Sequence, residues 1–511
     1  MPRRKIRVTG APEAPLRDAF AALRSALGAP DGFPPEVQEE AERAAKAPTP
    51  PSYDAPARPD AKGAPAPTLG DAPAPRKAKG APAPPSYDAT DLPFFTLDPP
   101  TSTDLDQAAC LSRRGTGHRV RYAIADVAAF VVPGKALDAE AHRRVNTLYF
   151  PDGKVPLHPA VLSEGAASLL PDRPRPAVLW TIDLDADGRT LAVDVRRALI
   201  RSRARLDYAG VQRDLDAGTA EEPVALLREI GEARERLEAE RGGISLDVPE
   251  QEITRRGHTY ELRYRAPLPV EGWNAQLSLL TGMAAADLML AHGTGILRTL
   301  PAAPDGAVTR LRRTATALHI DWPHHVSYAA LLRTLDPRDP RHAAFLQECT
   351  TLLRGAGYTV FRDGVLPALT THAAVAAPYT HATAPLRRLA DRYASEICLA
   401  AVAGRATPDW VLAALDALPR EMADGSRRAG TAERSCVGIL EAALLKDRVG
   451  DVFDGCVVDV DEHRPTVGTV QVRAPAVIGR IEGERLSPGE VLRVRLTRAD
   501  PATAQILFAP A

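Results

Sequence analysis

The stretch from Phe94 to Ala109 reads Phe-Phe-Thr-Leu-Asp-Pro-Pro-Thr-Ser-Thr-Asp-Leu-Asp-Gln-Ala-Ala and sets Asp98, Asp104 and Asp106 close together. Pro99 and Pro100 forbid a continuing helix and push Asp98 into an extended or turn conformation. Asp104 and Asp106 lie two apart, so on an extended segment their side chains point the same way. If the loop folds back, all three carboxylates converge. Two such charges about 5 Å apart repel by roughly 3 kcal/mol at an effective dielectric of about 20. A hard divalent cation relieves that repulsion. Magnesium suits the task, because it takes a few carboxylate oxygens and fills its other positions with water and phosphate. Taken alone, the spacing reads first as an acidic surface turn, since carboxylates are common in turns. The rest of the chain has to decide.

A chain of 511 residues is too long for one ordinary core and implies roughly two to four domains. The apolar share of 45% and charged share of 25% are those of a soluble globular protein. Lys+Arg number 64 and Asp+Glu 65, so the net charge of −1 argues against a globally basic polyanion binder; any basic groove has to be local. Cys110, Cys349, Cys398, Cys436 and Cys456 are scattered without a CxxC pair. They read as reduced thiols, not as a disulfide frame or zinc site. The basic start of the chain has no apolar stretch behind it, and no run approaches a membrane span. A cytoplasmic protein is expected.

Around the acidic stretch, the chain divides by texture. Leu16, Phe20, Leu23 and Leu27 recur at helical spacing, and a second helix is expected from about Pro35 to Lys46. Residues 1–46 thus read as a helical hairpin, either a packing element or part of a helix-turn-helix. Residues 47–92 are Pro- and Ala-rich with an imperfect tandem repeat and almost nothing to bury, which predicts a disordered linker. Strands dominate from about 92 to 191, including Arg119 to Val127 and Val178 to Gly188. Arg201, Arg203 and Arg205 alternate along another, as a phosphate-tracking stripe or, by default, a solvated sheet face. A charged helix is expected over 223–242 and a long buried one over 274–299, with helices continuing to about 446. After 449, four short strands with Gly turns suggest a small barrel of the OB type. There Arg493, Arg495 and Arg498 could touch a nucleic-acid backbone, and Phe453 and Phe508 are the few aromatics on which bases could stack.

With these neighbours in view, Thr96-Leu-Asp-Pro-Pro-Thr-Ser-Thr-Asp-Leu-Asp106 resembles the acidic loop of the RNase II (RNB) family of exoribonucleases. Ile124-Ala-Asp-Val127, Pro133 to Arg144, Leu148 to Pro159, Leu162 to Leu169 and Arg241 to Glu250 are similar to the blocks that follow it there. Tyr379-Thr-His-Ala-Thr-Ala-Pro-Leu-Arg-Arg388 resembles the last block, and the terminal barrel resembles the appended RNA-binding domain. The ordered set moves the acidic loop from surface turn to metal site. The resemblance implies an α+β fold: a catalytic domain over 93–446 with a mixed sheet and packed helices, then an OB barrel over 447–511.

The resemblance further implies hydrolysis of single-stranded RNA from its 3′ end to nucleoside 5′-monophosphates, by a monomer with no membrane partner. Asp98, Asp104 and Asp106 match the family's magnesium ligands, for one or two ions, with manganese an alternative. Tyr149 matches the aromatic that stacks on a nucleotide. Arg387 matches the arginine that holds a phosphate, with Arg388 beside it as a further RNA contact. Simpler readings exist: Tyr149 as core, and Arg387 pairing Asp391 across a helical turn. Where the family commonly has a fourth carboxylate the chain has Gln107, whose amide oxygen can ligate but adds no charge. The acidic pair that many members carry on the buried helix is absent from Leu279-Leu-Thr-Gly-Met283. Both departures weaken a second metal and leave open an inactive RNA-binding relative. A deoxyribonuclease also stays open, since no residue can be assigned to the 2′-hydroxyl. Residues 1–92 leave no room for the cold-shock domains that often precede such a catalytic domain, so a differently shaped mouth is expected, one tolerating short 3′ overhangs.

Overall fold

The alternating apolar segments after residue 87 close on themselves. In the computed structural model the described residues are 11–30, 32–48, 87–245, 250–256, 259–265, 267–336, 339–353, 355–461, 463–472 and 477–511. Strands β1 (Tyr87–Leu97), β2 (Gln107–Arg114), β3 (Gly117–Ala125), β6 (Pro174–Leu184) and β7 (Thr190–Leu206) form a closed barrel in the order β1-β2-β3-β6-β7. Between β3 and β6 a small hairpin, β4 (Leu148–Phe150) and β5 (Gly153–Val155), stands apart. Most pairs are antiparallel, but β7 closes the barrel by running parallel to β1. Successive strand residues face opposite sides, and both sides are buried. Val120, Tyr122 and Ile124 enter one core with Trp180, while Ala123 and Ala125 enter another with Phe94, Leu105 and Leu179. That is why β3 turns from alternating to continuously apolar.

The linker expected to run to residue 92 ends sooner. Tyr87, Asp88 and Ala89 already pair with Ala198, Leu199 and Ile200 of β7. The repeat-bearing residues 49–86 lie outside the described set.

Helices pack around the barrel. Helix α1 (Glu13–Ala26) and helix α2 (Pro35–Lys46) occur near the expected positions. They do not form a self-contained hairpin. Leu16 and Phe20 of α1 are buried with Leu148, Phe150 and Val155 of the small hairpin, whereas Val37 and Ala41 of α2 are buried with Leu137 and Leu162. Each helix buries its apolar stripe against a different part of the barrel domain. Helix α3 (Ala136–Arg144) leads into the hairpin and carries Arg144, whose guanidinium lies over the Phe33 ring between α1 and α2, 3.7 Å from its centroid.

The long buried helix, α4 (Pro269–His292), starts earlier and stops earlier than expected. Pro269 sits in its first turn, where its missing N–H costs nothing. Gly293, at φ 77°, ends it in the left-handed region. The chain then forms β8 (Gly295–Thr299), paired with β9 (Gly357–Phe361), in place of the helix's expected last turn. Helix α5 (Leu389–Val402), almost wholly buried, packs against α4, and helix α6 (Leu418–Leu445) leads to the C-terminal unit.

That unit is a closed barrel of β10 (Val452–Val460), β11 (Val467–Val472), β12 (Val477–Glu482), β13 (Val491–Asp500) and β14 (Gln505–Pro510), in the order β10-β11-β12-β14-β13. The fifth strand, Gln505–Pro510, was not expected, and its closing Pro510 is of a type depleted in strands. Phe453 and Phe508 meet edge to face at 6.1 Å in its core. They are therefore packing residues and unavailable to stack bases, while Arg493, Arg495 and Arg498 lie on the exposed surface. The fold is α+β with an OB-like barrel. All five cysteines are buried and free. Among the described residues no helix is long and apolar enough to cross a membrane.

Candidate active site

The acidic loop joins β1 to β2 and is pinned along its length. Asp98 N–H donates to the Leu206 carbonyl (3.3 Å), and Ser102 N–H to the Pro99 carbonyl (3.0 Å), closing a turn. Arg205 donates to the Pro100 carbonyl (2.6 Å). Ser168 Oγ donates to the Thr103 carbonyl (2.8 Å) and accepts from Leu105 N–H (2.9 Å). The Asp106 carbonyl accepts from Ala125 N–H at 2.9 Å. The loop's path is thus set by backbone bonds.

Each acid has a different environment. Asp106 is buried, and its Oδ1 accepts from Leu386 N–H at 2.8 Å. Arg387 Nε stands 3.5 Å from its Oδ2. Burial pushes the Asp106 carboxyl up to about 7, against the pull of Arg387. Asp98 is half-buried, and among the described residues its carboxylate has no hydrogen-bond or ion-pair partner. Burial pushes it up to about 6, with Arg387 opposing and the charge of Asp104 adding to the rise. Asp104 is held by the small hairpin: Lys154 Nζ lies 2.8 Å from Oδ1, and Tyr149 donates its hydroxyl to Oδ2 at 3.3 Å. Tyr149 and Lys154 are cross-strand partners, so the hairpin presents both from one face. Helix α1 braces that hairpin through Arg24, which bonds both oxygens of Asp152 at 2.8 and 3.0 Å.

Gln107 is turned away from the expected ligand role. Its Nε2 donates to the Thr383 carbonyl (2.6 Å) and its Oε1 accepts from the buried Tyr122 hydroxyl (2.9 Å), which also meets Ser278 of α4 at 3.0 Å. Gln107 therefore ties the acidic loop to the segment that carries Arg387.

That segment also pairs with the hairpin's approach, through Thr147 N–H to the Arg387 carbonyl (3.1 Å) and Leu389 N–H to the Val145 carbonyl (3.0 Å). Val145 sits at φ 68°, a costly conformation for a β-branched residue. The two arginines divide their work. Arg387, its side chain 46% exposed, faces Asp106 and open space. Arg388 is the one that pairs with Asp391, Nε to Oδ2 at 2.9 Å and Nη2 to Oδ1 at 2.7 Å. Its expected RNA contact gives way to a structural ion pair. Asp391 is fully buried. Arg388→Ala should therefore destabilise the fold by about 3–5 kcal/mol, the cost of stranding a buried charge. Urea denaturation followed by circular dichroism measures it, and a loss below about 1 kcal/mol, typical of an exposed pair, contradicts the assignment.

Tyr149, at 52% exposure, is not core, and its ring is open to a ligand. Lys154 and Ser168 were missed by sequence reasoning. The signal for Lys154 was the Pro151-Asp152 turn, which sets residues 149 and 154 opposite each other.

Among the described residues no three His, Cys, Asp or Glu side chains converge as a ready-made metal site. Lys154 and Arg387 stand against two of the acids. The donor set still fits a hard cation: the acids offer only oxygen, and Asp98 and Asp106 carry negative charge that burial leaves undercompensated. Their raised values have a consequence for stability. A carboxyl that holds its proton more tightly folded than unfolded contributes stability that is complete below the unfolded value near 3.8. That contribution is lost as pH rises through about 6 and about 7. Magnesium should therefore raise the melting temperature at pH 8 and scarcely at pH 5. Equal shifts at both pH values, read by differential scanning fluorimetry, contradict this coupling.

The chain is similar to known proteins in sequence and in fold. Residues 86–403 match the RNB domain, and 451–511 match the RNase II-type exonuclease C-terminal S1 domain. The chain belongs to the RNB family. It is 29% identical to ribonuclease R of Escherichia coli over 405 residues, covering 73% of this chain and 48% of that protein. It is 27% identical over 332 residues to the exosome complex exonuclease dis3 of Schizosaccharomyces pombe, covering 60% and 33%. The chain thus spans about half the length of ribonuclease R. In fold it is similar to Mycoplasma genitalium RNase R in complex with ribose methylated single-stranded RNA: TM-score 0.81, 19% identity, 97% of this chain and 78% of that one. Yeast Ssd1, a pseudonuclease, is more distant at TM-score 0.63 and 15% identity, covering 82% and 52%.

Proposed function

We propose that the chain is a magnesium-dependent exoribonuclease that shortens single-stranded RNA from its 3′ end and releases nucleoside 5′-monophosphates. Manganese is the expected substitute ion. The observation that carries the reading is a convergence: Asp106 lies beside Arg387, nearly three hundred positions away, while Asp104 holds the exposed Tyr149. Asp98 and Asp106 would hold a divalent ion, with Asp104 beside Asp98, and the ion would supply Lewis-acid activation of water and neutralise phosphate charge. The remaining roles belong to the side chains. Arg387 offers a planar guanidinium that matches a phosphate's oxygens. The Leu386 N–H fixes the Asp106 carboxylate in place. The ring of Tyr149 stacks on a terminal base, a contact of about 1–3 kcal/mol. Gln107, by its two hydrogen bonds, holds the acidic loop against the Arg387 segment and is not a ligand in this reading.

The test uses an oligo(A) labelled at its 5′ end. A ladder that shortens one nucleotide at a time, releases AMP and stops on adding EDTA supports the proposal. Internal cleavage, or loss of the 5′ label as a mononucleotide, contradicts it. A second reading is an RNA-binding protein with a disabled centre. The neutral Gln107 and the absence of a three-acid cluster among the described residues favour it, as does the fold likeness to a pseudonuclease. It requires tight binding with no release, and the same assay separates the two.

A further inference from the structure

Lys154 has no role in the reading above, yet it is among the most firmly held side chains of the site. Its ammonium lies 2.8 Å from Asp104, 3.1 Å from Glu164 and 3.4 Å from the Thr103 hydroxyl. Three acceptors use all three of its N–H donors. The side chain is largely buried, at 21% exposure, and is fixed by its place in the hairpin opposite Tyr149.

The acids crowd the cations of the site: Asp104 and Glu164 share the one ammonium of Lys154, and Asp106 and Asp98 both feel the one guanidinium of Arg387. The position after Asp106 carries an amide, already spent on Thr383 and Tyr122, and adds no further charge. Asp104 is committed to Lys154, whereas among the described residues Asp98 has no hydrogen-bond or ion-pair partner and Asp106 faces the half-exposed guanidinium of Arg387.

We propose that Lys154 is a resident cation that takes the place of a second divalent ion, so that the centre binds one ion, on the side of Asp98 and Asp106. The proposal rests on the metal-dependent reading and specifies its stoichiometry. Lys154 acts through charge, neutralising Asp104 and lowering the repulsion that incoming RNA phosphates meet.

The experiment titrates the full chain with manganese and follows free ion by electron paramagnetic resonance, alongside Lys154→Met and Lys154→Arg. One manganese per chain is expected for the wild type and for Lys154→Arg. Lys154→Met is expected to take up a second, because Asp104 and Glu164 then lack their counter-charge. Two ions on the wild type, or still one on a folded Lys154→Met, overturns the proposal. Should Lys154→Met fail to fold, Lys154→Gln, which keeps a polar side chain and removes the charge, takes its place with the same expected count of two. An outcome of two ions with intact hydrolysis sinks only the role of Lys154. No ion with no hydrolysis sinks the metal-dependent reading as well.

Discussion

Asp106→Asn is expected to lower the release of mononucleotides on the order of a thousandfold, the scale of losing a group that stabilises charge in the reacting complex. RNA affinity should stay within a few-fold. The substitution is nearly isosteric, and the amide oxygen can still accept from Leu386 N–H, so the loop keeps its anchor. What disappears is the negative charge that faces Arg387 and that, in the proposed reading, holds the ion. The variant should also be more stable than the wild type at pH 8 without divalent ions, because it no longer carries a buried carboxylate whose proton affinity is raised to about 7. Single-turnover kinetics with a melting curve test both halves. Unchanged turnover, or a variant that melts well below the wild type, contradicts the assignment.

Arg387→Ala is expected to cost about a hundredfold in turnover, the lower end of what removing one positioned donor costs. Arg387→Lys should recover only part of it, since a point charge cannot bridge two phosphate oxygens. Nearly half of the Arg387 side chain is open, but it is the counter-charge of buried Asp106, so Arg387→Ala should lower the melting temperature slightly above pH 7 and scarcely at pH 5, where Asp106 is protonated, and Arg387→Lys should leave it unchanged. This contrasts with Arg388→Ala, where stability falls because Asp391 is stranded in the core. A pair of variants one residue apart thus separates function from folding. If Arg387→Ala retains wild-type kcat and KM, the arginine is an ordinary surface residue.

Much of this was legible before the fold. The three acids stand out by their spacing and the buried helix by its apolar run, while Tyr149 and Arg387 are picked out only through the family resemblance of their blocks. Other features depend on partners far away in sequence. Nothing around Arg387-Arg388 says which arginine turns inward; Asp391 lies within a turn's reach of both, and the extended backbone at Arg388 settles it. The orientation of Gln107 is set by Thr383 and Tyr122. Helices α1 and α2 look like a module because they are adjacent and amphipathic, yet α1 packs on α6 and the small hairpin, and α2 on α3. The fifth barrel strand is masked by its closing Pro510, and its Phe508 reads as a binding aromatic until Phe453 is seen packed against it.

A crystal of the chain soaked in manganese, with anomalous scattering recorded, addresses the core idea most directly. The account requires a peak within about 2.0–2.2 Å of carboxylate oxygens of Asp98 and Asp106, on the side facing Arg387, the range for a small hard cation being about 2.0–2.1 Å. A peak elsewhere on the chain, or none at saturating manganese while RNA still binds, contradicts it.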